Sequence, residues 1–258
     1  MKLKIVLVCA FLLIHTLSFA QAIIDTEASL KKIDTTFHVF ANFMSDRKKG
    51  NINLSFMRGD LTLGSRKNNH LFRLTYAHNS TKFNGNLFDR SNTFQFRWNH
   101  IINEKNSLFM FVQSGNNLRS YIDQRSLIGL GWRKHLYLKD KDYFDLAIGP
   151  FREFEKYSSY SFNDESYPST ENLTTRISFN LFGSVKLFKN ITALTTIYSQ
   201  WRYNNINDVR VFGNQYIRFK VNEKVSTYVR YVLYYRSVIY VQPLKNDFDF
   251  LYGIEINI

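Results

Sequence analysis

The sequence predicts an all-β protein, a transmembrane antiparallel up-and-down barrel of about 12 strands, set behind an export signal. Three observations carry that expectation. Side chains alternate with period 2 along most of the chain, and most clearly in the closing stretch from Asp247 to Ile258. There Phe248, Phe250, Tyr252, Ile254, Ile256 and Ile258 share one parity, while Asp247, Asp249, Gly253, Glu255 and Asn257 share the other and Leu251 is the apolar intruder. A row of large apolar residues opposite carboxylates suits a strand with lipid on one side and a polar interior on the other. Aromatic residues make up 17% of a chain whose mean hydropathy is only -0.28, as expected when strands must meet two membrane interfaces. Finally, tight polar turns alternate with longer polar connections.

The first residues set the compartment. Lys2 and Lys4 precede an apolar run from Ile5 to Leu17, and Ser18-Phe19-Ala20 offers a cleavage site, so residues 1–20 read as a secretory signal peptide. Cys9, the only cysteine, lies inside the apolar run behind Val8, where it is removed and not lipidated. Disulfides and thiolate metal sites are thereby excluded from the exported chain. No later segment approaches the roughly 20 apolar residues of a membrane helix. Residues 21–34 form a short mixed lead-in, and residues 35–258 are long enough for one barrel domain. A net charge of +13 in an exported protein points away from nucleic acid and toward anionic lipid headgroups, lipopolysaccharide or small anions.

Strands follow in order. Phe37, Val39, Ala41 and Phe43 mark the first; Ile52, Leu54 and Phe56, then Leu61 and Leu63, mark the second, with a parity slip at Arg58-Gly59 that a glycine bulge would repair. Phe72, Leu74 and Tyr76 oppose Arg73, Thr75 and Ala77 in the third. Phe94, Phe96 and Trp98 oppose Gln95, Arg97 and Asn99 in the fourth, and the turn Asn103-Glu104-Lys105-Asn106 returns the chain through Leu108 to Ser114. Ile128, Leu130 and Trp132 face away from Gly129, Gly131 and Arg133; Phe144, Leu146 and Ile148 face away from Asp145, Ala147 and Gly149. Segments starting at Ile177, Ile191, Val209 and Val225 complete the set before the closing strand.

Connections at 66–69, 103–106, 138–141, 188–190 and 221–224 are short, whereas 79–92, 115–124, 157–171 and 238–245 read as long loops. Short turns at one end and long loops at the other are the asymmetry of outer-membrane barrels. The rival, a soluble aromatic sandwich, has no reason to sort its loops.

Three resemblances add to this. Gly253, Ile256 and Ile258 resemble the C-terminal signal by which the barrel assembly machinery recognises outer-membrane barrels, with isoleucines at sites that usually hold aromatics. The run Lys49-Gly50-Asn51, the strand Ile128-Gly129-Leu130-Gly131-Trp132-Arg133 and the strand Leu146-Ala147-Ile148-Gly149-Pro150-Phe151-Arg152 resemble the uncharacterised family of salt-induced outer-membrane proteins. That resemblance implies a barrel in the bacterial outer membrane and brings no catalytic residues. His78-Asn79-Ser80 resembles the His-x-Ser of outer-membrane phospholipases and lipid A deacylases, in which histidine activates serine on the lipid face. Thr81 stands where those enzymes carry Asn, and the only third member in sight is Asn84.

The inward parity gathers Arg73, Arg97, Arg133, Arg176, Arg218, Arg230 and Arg236 against Asp145, Asp247, Asp249 and Glu255. Two readings follow: a salt-bridged plug, into which Glu153 or Glu155 folds as well, or a basic-lined channel that favours anions. The histidines lack metal spacing and no phosphate loop is present, so neither a metal nor a cofactor is expected. The Tyr- and Ser-rich run from Tyr157 to Tyr167 suits an outer loop that is solvated or contacts saccharide. The expected function is a structural or small-anion-permeable, porin-like barrel and not an enzyme; the alternative is a lipid hydrolase using His78 and Ser80.

Overall fold

The computed structural model describes residues 37–50, 53–139, 142–162, 165–238 and 246–257. The expected signal peptide and lead-in lie outside them. Fourteen strands run in chain order: β1 (His38–Lys48), β2 (Leu54–Lys67), β3 (His70–Phe83), β4 (Asn86–Ile101), β5 (Asn106–Asn117), β6 (Ile122–Lys139), β7 (Asp142–Tyr157), β8 (Tyr160–Phe162), β9 (Glu165–Tyr167), β10 (Thr170–Phe188), β11 (Ile191–Arg202), β12 (Asn205–Lys220), β13 (Val225–Arg236) and β14 (Asn246–Asn257). Twelve of them form a closed antiparallel barrel in which each strand pairs with its sequence neighbour, β7 pairs with β10, and β14 closes on β1; β8 and β9 form a separate hairpin between β7 and β10.

The twelve expected strands are present, and most are longer than the sequence suggested. The segment 79–92 is not a loop. β3 and β4 stay paired up to Phe83 and Asn86, joined by Asn84 and Gly85 at φ 50 and 84, the left-handed pair of a tight type I′ hairpin. The connection expected over 115–124 shrinks likewise to four residues between β5 and β6. Polar composition was misleading there because a strand that extends past the bilayer has water on its outer side and needs no apolar parity. The bulge expected at Arg58-Gly59 is also absent, since β2 pairs in unbroken register from Leu54 opposite Phe83 to Lys67 opposite His70. At the opposite end, Asn103 and Asn222 cap the turns they begin. The Oδ1 of Asn103 accepts from the amides of Lys105 and Asn106, and that of Asn222 from those of Lys224 and Val225.

The outer surface is an apolar belt. Phe43, Tyr76, Phe94, Ile128, Leu130, Phe179, Phe250 and Tyr252 are among many large apolar side chains exposed on it, far more than a water-soluble protein presents in one band. The inner surface is packed. Phe109, Tyr143, Ala147, Phe182, Tyr198, Phe212, Val232 and Tyr234 form a buried cluster, and Leu251, the parity intruder of the last strand, packs against it from inside. Gly129 makes this possible: a Cβ there would lie 2.6 Å from both the Phe111 and Phe151 side chains.

The closing seam is the shortest pairing of the barrel among the described residues. Only Phe40 to Phe43 are in register with Asn257 to Ile254, whereas β1 pairs with β2 from His38 to Lys48. Because Ala41 sits opposite Ile256, the double variant Ala41→Cys/Ile256→Cys is expected to form a disulfide on oxidation, with Cys9 the only native cysteine to compete. Non-reducing electrophoresis after boiling checks this: a crosslinked circle migrates ahead of the reduced chain, and an uncrosslinked product means that the barrel does not close at these residues.

Candidate functional site

The lumen is organised around two carboxylates on neighbouring inward positions of β7. Glu153 accepts from Arg125 Nε at 2.8 Å, Arg176 Nε at 2.9 Å and Arg210 Nη1 at 2.8 Å. Glu155 accepts from Arg210 Nη2 at 2.8 Å and from the Tyr157 hydroxyl at 2.9 Å. Arg176 also donates to Asp208 at 2.9 Å. Both glutamates are fully buried and the three arginines nearly so. The layer ties β6, β7, β10 and β12 together across the loop-side end of the barrel. Charges this deep require mutual pairing, and here each carboxylate has several charge-assisted donors.

Nearer the short turns, Asp145 receives Arg133 and, at 2.5 Å, His135 Nδ1, while Arg133 lies 4.4 Å over the Phe182 ring. Glu255 receives Arg218 Nη2 at 2.9 Å and the Tyr216 hydroxyl at 2.6 Å. Arg230 donates to Asn214 Oδ1 at 2.9 Å. Arg73 and Arg97 stand directly opposite one another, both buried, with Arg97 4.4 Å over the Phe109 ring. Arg236 sits opposite Arg210. The arginines expected to face inward therefore do so, and Asp145 and Glu255 are two of their partners. The side chains of Asp247 and Asp249 lie outside the described residues. A cavity of about 50 Å³ remains between Gln95, Arg97, Gln113, Ser178, Asn180 and Gln200, room for a few waters.

Arg125, Arg210 and Asp208 were missed in the sequence. Arg210 has the parity of Arg218 on one strand and Arg125 that of Arg133 on another, so carrying each alternation further toward the loops would have found both. Glu153 and Glu155 likewise share the parity of Asp145, which makes them strand residues and not loop residues.

On the outer face of β3 and β4, His78 stands opposite Asn92 and Ser80 opposite Arg90. The His78 Nδ1 lies 2.8 Å from Asn92 Oδ1, which also accepts from the Tyr76 hydroxyl at 3.0 Å. Asn92 is held in turn by Asn116, whose Oδ1 accepts from Asn92 N at 3.1 Å and Asn92 Nδ2 at 3.2 Å. Asn84, the third residue that the sequence offered, belongs to the hairpin turn, where its Oδ1 accepts from Asn53 N at 3.1 Å.

Gly253 faces inward beneath Tyr228, where a Cβ would come within 2.7 Å of the hydroxyl, and Tyr228 stacks on Tyr216 with centroids 4.9 Å apart. The side chain of Ile256 and the whole of Ile258 lie outside the described residues. The Tyr-rich connection is built up by ring stacking, Tyr121 on Tyr160 at 4.5 Å and Tyr160 on Tyr167 at 4.6 Å. Among the described residues no cluster of His, Asp, Glu or Cys has the geometry to hold a metal ion.

The family described as "Protein of unknown function, DUF481" matches residues 41–257, and the chain belongs to that family. The description makes no reference to salt induction. No curated protein is significantly similar to the chain. Among solved structures, the chain is similar to the translocator domain of the autotransporter NalP from Neisseria meningitidis, with 13% identity, TM-score 0.49 and coverage of 89% of this chain and 88% of that one. It is also similar to the NanC porin, with 8% identity, TM-score 0.45 and coverage of 86% and 98%, and to the beta domain of the Bordetella autotransporter BrkA, with 6% identity, TM-score 0.39 and coverage of 86% and 97%.

Replacing Glu153 by Gln leaves three buried guanidinium groups around a neutral amide. The expected cost is about 3–5 kcal/mol, read as a lower urea midpoint of the folded barrel in detergent, with folded and unfolded forms separated by electrophoretic mobility. Glu171→Gln, which breaks an exposed pair with Lys156, is expected to stay within about 0.5 kcal/mol of wild type.

Proposed function

We propose that this protein is a closed structural barrel of the bacterial outer membrane, exported by residues 1–20, led in by residues 21–34 and inserted by the barrel assembly machinery through Gly253, Ile256 and Ile258. The apolar belt supports the membrane placement, because only a closed ladder of strands satisfies every backbone polar group in hydrocarbon. Lipid and lipopolysaccharide are its immediate partners, the basic residues beyond the belt meeting their phosphates.

One observation carries the choice between plug and conduit: the guanidinium groups of Arg125, Arg176 and Arg210 converge on Glu153 and Glu155 at a single level of the lumen. Cations that neutralise carboxylates do not lower the barrier for a passing anion. Beneath them the aromatic cluster fills the interior with ring edges and faces, as in narrow barrels whose side chains occupy the lumen.

The test is single-channel recording in planar bilayers with a salt gradient, using protein whose folding is verified by heat-modifiable mobility. Silence is expected. Discrete steps with anion selectivity, weakened in Arg230→Ala or Arg236→Ala, would overturn the plug and establish a basic-lined conduit.

A further inference from the structure

We propose that the outer face of β3 and β4 carries a serine esterase site for acyl-ester lipids, with Ser80 as nucleophile, His78 as general base and Asn92 as the residue that positions the base. The inference relies on this face meeting lipid and is independent of the state of the lumen.

The register places the groups in rows. Met57, Ser80 and Arg90 lie across β2, β3 and β4 in one; Gly59, His78 and Asn92 in the next, continuing to Asn116 on β5; and Leu61, Tyr76 and Phe94 in the third. Alternate residues of a strand share a face, so His78 and Ser80 project side by side about 6.6 Å apart along β3, within reach of an imidazole and a hydroxyl. The tautomer of His78 follows from its partner. Asn92 turns its Nδ2 to Asn116, and its Oδ1 can then only accept from the Tyr76 hydroxyl and from His78. In the neutral imidazole the proton therefore resides on His78 Nδ1 and the lone pair on Nε2, the tautomer that a general base requires. Ser80 as nucleophile two residues along the same face, His78 as base and Asn92 orienting the base are the groups that covalent catalysis requires.

The surroundings suit a lipid ester. Arg90, exposed and directly opposite Ser80, offers a guanidinium to an oxyanion or a headgroup phosphate. Gly59, opposite His78, leaves the imidazole without a flanking side chain. Leu61, Tyr76 and Phe94 continue the surface toward the membrane centre, each more than 40% exposed, a path for an acyl chain. His78 is eight residues along β3 from its start at His70, which at the usual rise and tilt is about 20 Å above the short-turn end. Ester carbonyls of the far leaflet lie near that depth. A row of polar residues at the edge of an apolar belt also costs free energy that apolar residues would not, so its presence calls for a use.

The chemistry balances without a further reagent. Ser80 Oγ bonds to the ester carbonyl carbon while its proton passes to His78 Nε2. The tetrahedral intermediate breaks its bond to the alcohol oxygen, which leaves with that proton. Water then attacks the acyl-serine, again through Nε2, and releases the carboxylic acid.

The experiment presents refolded full-length barrel with phosphatidylethanolamine or with lipid A in mixed micelles, follows fatty acid release, and maps labelling by a fluorophosphonate. Wild type is expected to release fatty acid and to be labelled at Ser80. Release from only one of the two lipids identifies the source of the ester. Ser80→Ala is expected to abolish labelling and to lower the rate about a thousandfold or more. Asn92→Ala is expected to lower kcat about 10–100-fold at unchanged KM, with the acidic limb of the pH profile displaced and Asn92→Asp restoring most of the rate. Wild type that is folded by mobility and yields neither acid nor label, or label that persists in Ser80→Ala, overturns the assignment. Failure with a barrel that still floats with membranes leaves the structural reading in place.

Discussion

Backbone hydrogen bonding in a medium without water is the constraint from which the rest of this structure follows. An unpaired amide or carbonyl in hydrocarbon costs several kcal/mol, so strands can cross only as a ladder that closes on itself. Among the described residues the ladder runs without a crossover from strand to following strand, passing from β7 to β10 over the β8–β9 hairpin, and β1 and β14 close it through a seam of four residue pairs. Once the ladder is closed, the pleat assigns every side chain to lipid or to lumen. A change of one residue in register would exchange the two faces, so the matched parities of twelve strands exclude every odd shift, which would turn arginines into the hydrocarbon.

The lumen is the second consequence. Twelve strands enclose more space than one layer of aliphatic side chains fills, and the inward positions therefore carry long or flat residues: arginine, glutamate, phenylalanine and tyrosine. Charged and aromatic groups interleave. Ion pairs gather around Glu153 toward the loops and around Asp145 and Glu255 toward the short turns, and Phe182, Phe212 and Val232 are fully buried among them, Phe182 directly opposite Asp145. The Arg97 and Arg133 guanidinium groups, stacked on Phe109 and Phe182, join the two kinds of contact. Glycines on the inward face of β6 give the rings their room: a Cβ at Gly129 would meet Phe111 and Phe151, and one at Gly131 would meet Phe109.

The barrel, its strand number and the inward arginines were legible because parity is a local property with a fixed period. Leu251 shows where parity alone stops: an apolar residue on the wet side is a contradiction in one strand and an ordinary contact once the aromatic cluster is assembled. Glu153 and Glu155 were legible as carboxylates for the plug but not as strand residues. Past Gly149 the alternation of β7 breaks down, with Phe151 and Tyr157 on the inward parity beside the two glutamates and Phe154 on the outward parity between Arg152 and Lys156. Asn92 was hidden twice over. It sat in what read as a long loop, and its relation to His78 exists only through the register set by the tight turn at Asn84-Gly85.

That turn also explains how a reactive group could be held steady at the rim of a membrane protein. A long loop after His78 would leave imidazole and hydroxyl on a moving segment, whereas a two-residue hairpin keeps β3 and β4 paired for several residues past them. Both faces of this part of the ladder are pinned. Inside, Asn79 donates to Asp89 at 3.0 Å, and outside, Asn92 binds His78, Tyr76 and Asn116. Side chains on a paired strand, locked by neighbours on two sides, keep the sub-ångström placement that general-base chemistry needs and that a solvated loop cannot supply. The closed ladder that membrane insertion demands is thus the same device that would position Ser80 and His78, and the packed lumen stiffens the strands behind them.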